Sequence, residues 1–316
     1  MIMTEKQKLN LEEIEKNLKQ NPSNVKWQNL YAETLLDNGF LDDALAQYKN
    51  LMKQFPDSAE ISFNIGVIYE KQNNFDKAQE FYEKAVNFMP EDADFRYNLA
   101  FALDKKGELD WAMSEYSKVI GLNPEDSNAH FNLGVLYNKK NQPKLAKKCF
   151  QKTLEINPQD VYARFNLAFE YKREGKIQEA LDEYNKLLEI SPDYSWAYYN
   201  IACIYHEQGD ACKAFEYFLK TTKANSKDIE TYKIITDIAI KTGKTEEAID
   251  CIETGLVQNP ENGDLHYYLS KIYAKIGETK NQLHHLEKSF ENKSTLSVNP
   301  LLVSEEIRLK QKRVSD

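Results

Sequence analysis

Two consecutive stretches, YNLAFALDKKGELDWAMSEYSKVIGLNP (97–124) and FNLGVLYNKKNQPKLAKKCFQKTLEINP (131–158), match position by position at an offset of 34 residues. Aromatic falls on aromatic, asparagine on asparagine, small residue on small residue and proline on proline. The same offset runs outward in both directions, because Pro22, Pro56, Pro90, Pro124, Pro158, Pro192 and Pro260 are spaced by 34 residues or twice that. A repeat of this period is a helix-turn-helix unit that buries its apolar face only by stacking on neighbours. It predicts an all-α solenoid with an extended binding surface in place of an enclosed pocket.

With each of these prolines placed at position 32, full units begin at Val25, Ala59, Ala93, Ser127, Val161, Ser195, Ile229 and Gly263. Position 15 is then always glycine or asparagine, from Gly39 and Asn73 to Gly243 and Gly277, the residues that enter the left-handed conformation ending a helix. Position 20 is alanine at Ala44, Ala78, Ala112, Ala146, Ala180, Ala214 and Ala248, and position 24 supplies bulk, as in Tyr48, Tyr82, Tyr116 and Phe150. Small against large lets the two helices of a unit interdigitate. The second helix ends before its proline, which cannot donate a backbone hydrogen bond. Pro143 differs, standing at the start of a second helix where a missing N–H is tolerated.

These strings resemble the tetratricopeptide-repeat family over about residues 24–294. The resemblance implies an α-solenoid of eight 34-residue helix-turn-helix repeats forming a right-handed superhelix, with a concave groove for protein ligands. The family's usual tryptophan at position 4 is replaced by Gln28, Ser62, Arg96, His130, Arg164, Tyr198, Tyr232 and His266. The ends depart from the pattern. Residues 1–23 read as a capping helix, amphipathic through Leu9, Ile14 and Leu18, and residues 295–316 as a second cap and tail. There a helix after Pro300 is expected to bury Leu302, Val303 and Ile307. Ile252, Gly255 and Gln282 replace usual packing residues in the last two units, so that end either docks a second protein or has drifted.

Position 6 carries Asn64, Asn98, Asn132, Asn166 and Asn200 in five successive units. In the family this side of the first helix resembles the groove lining. An asparagine amide matches a peptide unit without reading its side chain, so the row suits an extended main chain. With helices packed about 8–10 Å apart and an extended chain rising about 3.3 Å per residue, one asparagine meets roughly every third ligand residue. Beside the row, position 5 gives Phe63, Tyr97, Phe131, Phe165 and Tyr199, and position 9 includes Phe101 and Phe169, which are expected as apolar walls. Position 13 adds Lys71, Lys105, Lys139 and Arg173, a row that favours an acidic ligand if it faces the groove and is otherwise a solvated edge. A comparable asparagine ladder belongs to the repeat half of O-linked N-acetylglucosamine transferase, without whose catalytic half this chain stands. The family's grip on a chain terminus wants lysine at position 5, where only Lys233 meets it.

The expected role is a non-enzymatic scaffold or adaptor holding an extended peptide segment of a partner protein. The alternatives are a structural or self-associating subunit, as monomer or homodimer, and a substrate-recruiting partner of a glycosyltransferase-like enzyme. A net charge of -9 argues against the basic stripe that nucleic acid demands. No apolar run reaches the ~18 residues of a membrane span. The N-terminus lacks the pattern of an export signal, and four cysteines without CxxC spacing suit a reducing compartment, so a cytoplasmic location is expected. No cofactor or metal is implied. Gly243-Lys244-Thr245 lacks the upstream glycine of a phosphate loop, and His266, His284 and His285 fit no metal motif. Cys203 with His206 three residues on offers either an activated thiol or, preferably, a packed one. Asn292-Lys293-Ser294 reads as a chance glycosylation match, and Asp42 and Asp43 as N-terminal helix stabilisers.

Overall fold

The computed structural model describes residues 5–315, with side chains from Leu11 to Gln311. Residues 1–4, the Leu9 side chain and Asp316, which belong to the two expected caps, lie outside the described residues. Helix α1 (Glu5–Gln20) precedes a run of helix pairs. These are α2 (Val25–Asp37) with α3 (Leu41–Gln54), α4 (Ala59–Lys71) with α5 (Phe75–Phe88), α6 (Ala93–Lys106) with α7 (Leu109–Leu122), and α8 (Ser127–Lys139) with α9 (Pro143–Ile156). Next come α10 (Val161–Arg173) with α11 (Ile177–Ile190), and α12 (Ser195–Glu207) with α13 (Ala211–Ala224). The run ends with α14 (Ile229–Thr242) and α15 (Thr245–Gln258), α16 (Gly263–Ile276) and α17 (Thr279–Glu291), followed by α18 (Pro300–Ser315). No strand occurs among the described residues. The chain forms two compact units, residues 1–163 and 164–316.

The helix boundaries follow from local chemistry. Every position-15 residue has positive φ, including Asn73 at 57° and Asn141 at 54°, the two non-glycine cases. That conformation turns the chain out of the first helix and into the second. Each first helix is opened by the residue after the ruler proline's turn: Asp92 accepts from the Phe95 N–H at 2.9 Å, Asp126 from Ala129 at 2.9 Å and Asp160 from Ala163 at 2.8 Å. Asn24, Ser58, Asp228 and Asn262 do the same. Tyr194 is the exception: it makes no side-chain cap, and its ring lies 5.6 Å from that of Phe165.

Packing follows the small-against-large rule. The seven position-20 alanines and the eight position-24 side chains are all buried, and the Gly66 and Gly134 backbones receive the rings of Tyr82 and Phe150. Unusual residues in the last two pairs are answered inside the molecule. Gly255 leaves room for the Tyr232 hydroxyl, Ile252 is fully buried, and buried Gln282 donates from Nε2 to Glu306 on α18 at 3.1 Å.

The terminal helices differ from expectation in one respect. Ile14 of α1 is buried and Leu18 half-buried, as an amphipathic cap requires. In α18 Val303 is buried and Ile307 half-buried, but Leu302 is 60% exposed. Neighbours on a helix point about 100° apart, so a face centred on Val303 cannot also bury Leu302.

Candidate peptide-binding face

In the first unit, α4, α6 and α8 carry Asn64, Asn98 and Asn132 at the same helical position, all half-buried. The amides are not idle. Asn98 donates from Nδ2 to the Asp94 carbonyl of its own helix at 2.8 Å, and Asn132 donates to the Tyr97 hydroxyl of the preceding helix pair at 2.8 Å. Among the described residues nothing donates to the side-chain oxygens of these three asparagines. Asn98 and Asn132 therefore offer acceptors, a narrower chemistry than the donor-and-acceptor rail the sequence suggested, while among the described residues both halves of the Asn64 amide are without a hydrogen bond. In the second unit Asn200 repeats the Asn98 geometry, donating to the Trp196 carbonyl at 2.8 Å, and Asn166 is half-buried with its own partners.

The position-5 rings are held rather than loose. Phe63 stacks on Phe95 at 4.7 Å and meets Tyr82 at 5.5 Å; Tyr97 meets Tyr116 edge-on at 5.4 Å, and Phe131 meets Phe150 at 5.9 Å. In the second unit Phe165 lies 5.8 Å from Tyr184, and Tyr199 lies 5.7 Å from Phe218. Each ring closes the joint between the two helices of its own pair, so these residues are half-core and only their edges remain as walls. Phe101 is half-buried, and Phe169 is 40% exposed.

The basic row is largely compensated. Lys139 pairs with Asp104 at 2.6 Å, Arg173 pairs at 3.1 Å with the fully buried Glu170, and Lys105 covers the Phe101 ring at 5.0 Å. Glu70 lies beside Lys71 and accepts from the Tyr82 hydroxyl at 2.8 Å. Burial holds its carboxyl above the usual range despite that bond. Cys203 is a packed thiol: burial raises its pKa, and His206 is exposed, so the activated-thiol alternative fails.

Trp196 stands outside the rows that the repeat pattern marks. It is 62% exposed, lies one turn before Asn200 and edge-on to Tyr199 at 6.1 Å, and lines a recess of about 180 Å³ with Tyr199, Thr221, Asn225 and Asp228. Its position, four residues before the asparagine, is the signal that places it on the same face.

Comparison with known proteins fits this geometry. Models described as tetratricopeptide repeat match residues 32–90, 93–126, 127–160, 149–182 and 197–228, and one described as TPR repeat matches 170–209. The chain belongs to the tetratricopeptide-repeat family. Three similar solved structures share the fold. The C-terminal part of a TPR repeat-containing protein from Cytophaga hutchinsonii is 16% identical with TM-score 0.58, covering 84% of this chain and 96% of that one. PilF of Pseudomonas aeruginosa is 19% identical with TM-score 0.56, covering 66% and 96%. YrrB, described as a TPR protein with an unusual peptide-binding site, is 24% identical with TM-score 0.52, covering 58% and 95%. No curated protein sequence matches significantly.

As a tetratricopeptide-repeat protein the chain replaces the position-4 tryptophan with a device that recurs in four pairs. Gln28 Nε2 donates to the Pro22 carbonyl at 2.7 Å, Arg96 Nε to Pro90 at 2.7 Å and the Tyr198 hydroxyl to Pro192 at 2.9 Å, while His130 Nε2 lies 3.0 Å from the Pro124 oxygen. In these four pairs a polar side chain reaches back to the carbonyl of the ruler proline and ties the pair to the turn before it, whereas the Ser62 hydroxyl is buried without a hydrogen-bond partner among the described residues. Arg96 also pairs with Glu115 at 2.7 Å, and Arg164 with Glu183 at 2.6 Å. Among the described residues no helix is long and apolar enough to cross a membrane, and no three His, Cys, Asp or Glu side chains cluster as a metal site.

Proposed function

We propose that this tetratricopeptide-repeat chain is a protein-interaction scaffold whose α4–α6–α8 face binds an extended peptide segment, with the α12 face around Asn200 and Trp196 as a second contact region. The observation that carries the reading is the acceptor row. Three half-buried asparagines on successive first helices have their N–H groups turned inward on Asp94 and Tyr97 in two cases, which orients the oxygens for incoming donors. An extended chain carries such donors, its backbone N–H groups, at regular intervals. Lys139 and Arg173 are already matched by Asp104 and Glu170, so the face reads main chain more than acidity. YrrB, which shares the fold, is described with a peptide-binding site; the proposal for this chain rests on the geometry of its own helices.

Peptides selected from a displayed random library on the full chain provide the test. Each neutral hydrogen bond nets about 0.5–1.5 kcal/mol, so Asn98→Ala with Asn132→Ala is expected to weaken the selected peptides about tenfold. Alanine favours helix, so the double variant should keep its fold by circular dichroism. Peptides that bind the folded variant as tightly as the parent would make the row structural. A self-associating role has a different observation behind it, the exposed leucines of α18.

A further inference from the structure

Helices α1 and α18 present different outward faces. The exposed side chains of α1 among the described residues are Glu12, Glu13, Lys16, Lys19 and Gln20, a wholly polar face. Helix α18 buries Val303 against its neighbours but exposes Leu301 by 73%, Leu302 by 60% and Leu309 by 55%. At 100° per residue these leucines share an arc of about 120° opposite Val303, together with exposed Glu305 and Arg308. The helix is in register as the first helix of another repeat. Val303, Ser304 and Ile307 fall at positions 7, 8 and 11, where the preceding pair has Leu269, Ser270 and Tyr273. Leu301 falls at position 5, whose rings in α4, α6, α8 and α12 are covered by the second helix of their pair. No described helix covers it here.

We propose that this face is a self-association surface, on which the α18 helices of two copies of the chain pack antiparallel about a two-fold axis. Charge selects both the occupant and the direction. The acids of α18, Glu305 and Glu306, precede its bases, Arg308, Lys310, Lys312 and Arg313. A parallel pair sets Glu305 against Glu305 and Arg308 against Arg308. An antiparallel pair with Leu302 opposite the second copy's Leu309 repeats that contact by symmetry, and brings each Glu305 within about 3 Å of axial offset of the other copy's Arg308. A two-fold interface is self-complementary in this sense. A 16-residue helix is only about 24 Å long, so the buried area falls short of the roughly 800 Å² per partner of a stable complex. The dimer is accordingly weak and concentration-dependent.

Sedimentation equilibrium of the full 316-residue chain between about 1 and 200 μM tests this. The mass should rise from the 36.8 kDa of one chain toward twice that value. Leu302→Glu with Leu309→Glu should abolish the rise while leaving helicity and thermal midpoint unchanged. Glu305→Arg and Arg308→Glu should each weaken association at least fivefold, and the two together should restore it, because the exchanged charges again meet across the axis. The milder Leu309→Ala keeps the test valid if the glutamates disturb α18, with a reduction of at least threefold expected. A monomer throughout the range, a dimer indifferent to the leucine changes, or a double charge exchange that fails to recover would each overturn the proposal.

Discussion

At the scale of single residues, the polar replacements of position 4 are structural in a measurable way. Arg96 serves the Pro90 carbonyl and Glu115 together, and both members of the ion pair are largely buried. Arg96→Met keeps the stem but removes both bonds, and should cost about 2 kcal/mol, limited because Glu115 retains Lys118 at 2.6 Å. Urea unfolding measures it, and an unchanged midpoint would mean that water serves both acceptors equally well. A second residue-scale effect concerns His266 and His285, whose Nδ1 atoms lie 3.0 Å apart. Neutral rings form one hydrogen bond; two protonated rings cannot. Burial first, then the neighbouring charges of His266 and His284, lower His285 to about 4. Burial also lowers His266, with His284 and Lys288 adding and the Pro260 carbonyl and Glu291 opposing. The folded chain thus binds fewer protons than the unfolded one below the ordinary histidine value near 6.5, and this contribution to stability is full above that pH and fades as pH falls toward 4. The loss should reach roughly 2 kcal/mol. His285→Phe, which keeps an aromatic ring against Tyr273, should flatten this part of the pH profile, and parallel profiles for parent and variant between pH 7 and 5 would refute the assignment.

At the scale of the helix pair, two glycines carry opposite predictions. A Cβ at Gly66 would lie 2.6 Å from the Tyr82 ring, which is fully buried and anchored through its hydroxyl to Glu70. Overpacking of this kind costs about 1–3 kcal/mol, more than the helix propensity alanine adds at about 1 kcal/mol, so Gly66→Ala should destabilise. Gly121, near the end of α7, meets nothing within 4 Å. There Gly121→Ala should raise stability by about 0.5 kcal/mol. Thermal midpoints moving in the same direction for both variants would contradict the packing argument. Ala146→Leu at the α8–α9 joint, where the alanine is fully buried, belongs with Gly66→Ala and should destabilise by about 1–3 kcal/mol. The positions that made these joints predictable were legible in the sequence because glycine, alanine and proline act on the backbone of their own helix or turn. The partners of side chains were not. Nothing in the string announces that Asn98 turns its amide onto Asp94, that Lys139 is matched by Asp104 from the preceding helix pair, or that position-5 rings lie half within the core.

At the scale of the whole molecule, stability in a stacked-repeat protein is a sum of local terms and nearest-neighbour contacts. Gly66→Ala should therefore speed amide exchange in α4, α5 and their neighbours while leaving the buried segment of α16 around Leu265 and Leu269 unaffected; uniform loss of protection would indicate a single cooperative core. The period of 34, the left-handed turn after every first helix, the alanine joints and the helix ends at proline were determined by sequence alone, since each follows from short-range steric and hydrogen-bonding rules that repeat wherever the residues repeat. Tertiary structure decided the rest: which half of the Asn98 and Asn132 amides is left outward, which lysines are already neutralised, and that Leu302 lies outside while Val303 lies within. Those outcomes depend on what stands opposite each side chain in space, and a periodic string leaves that choice to packing.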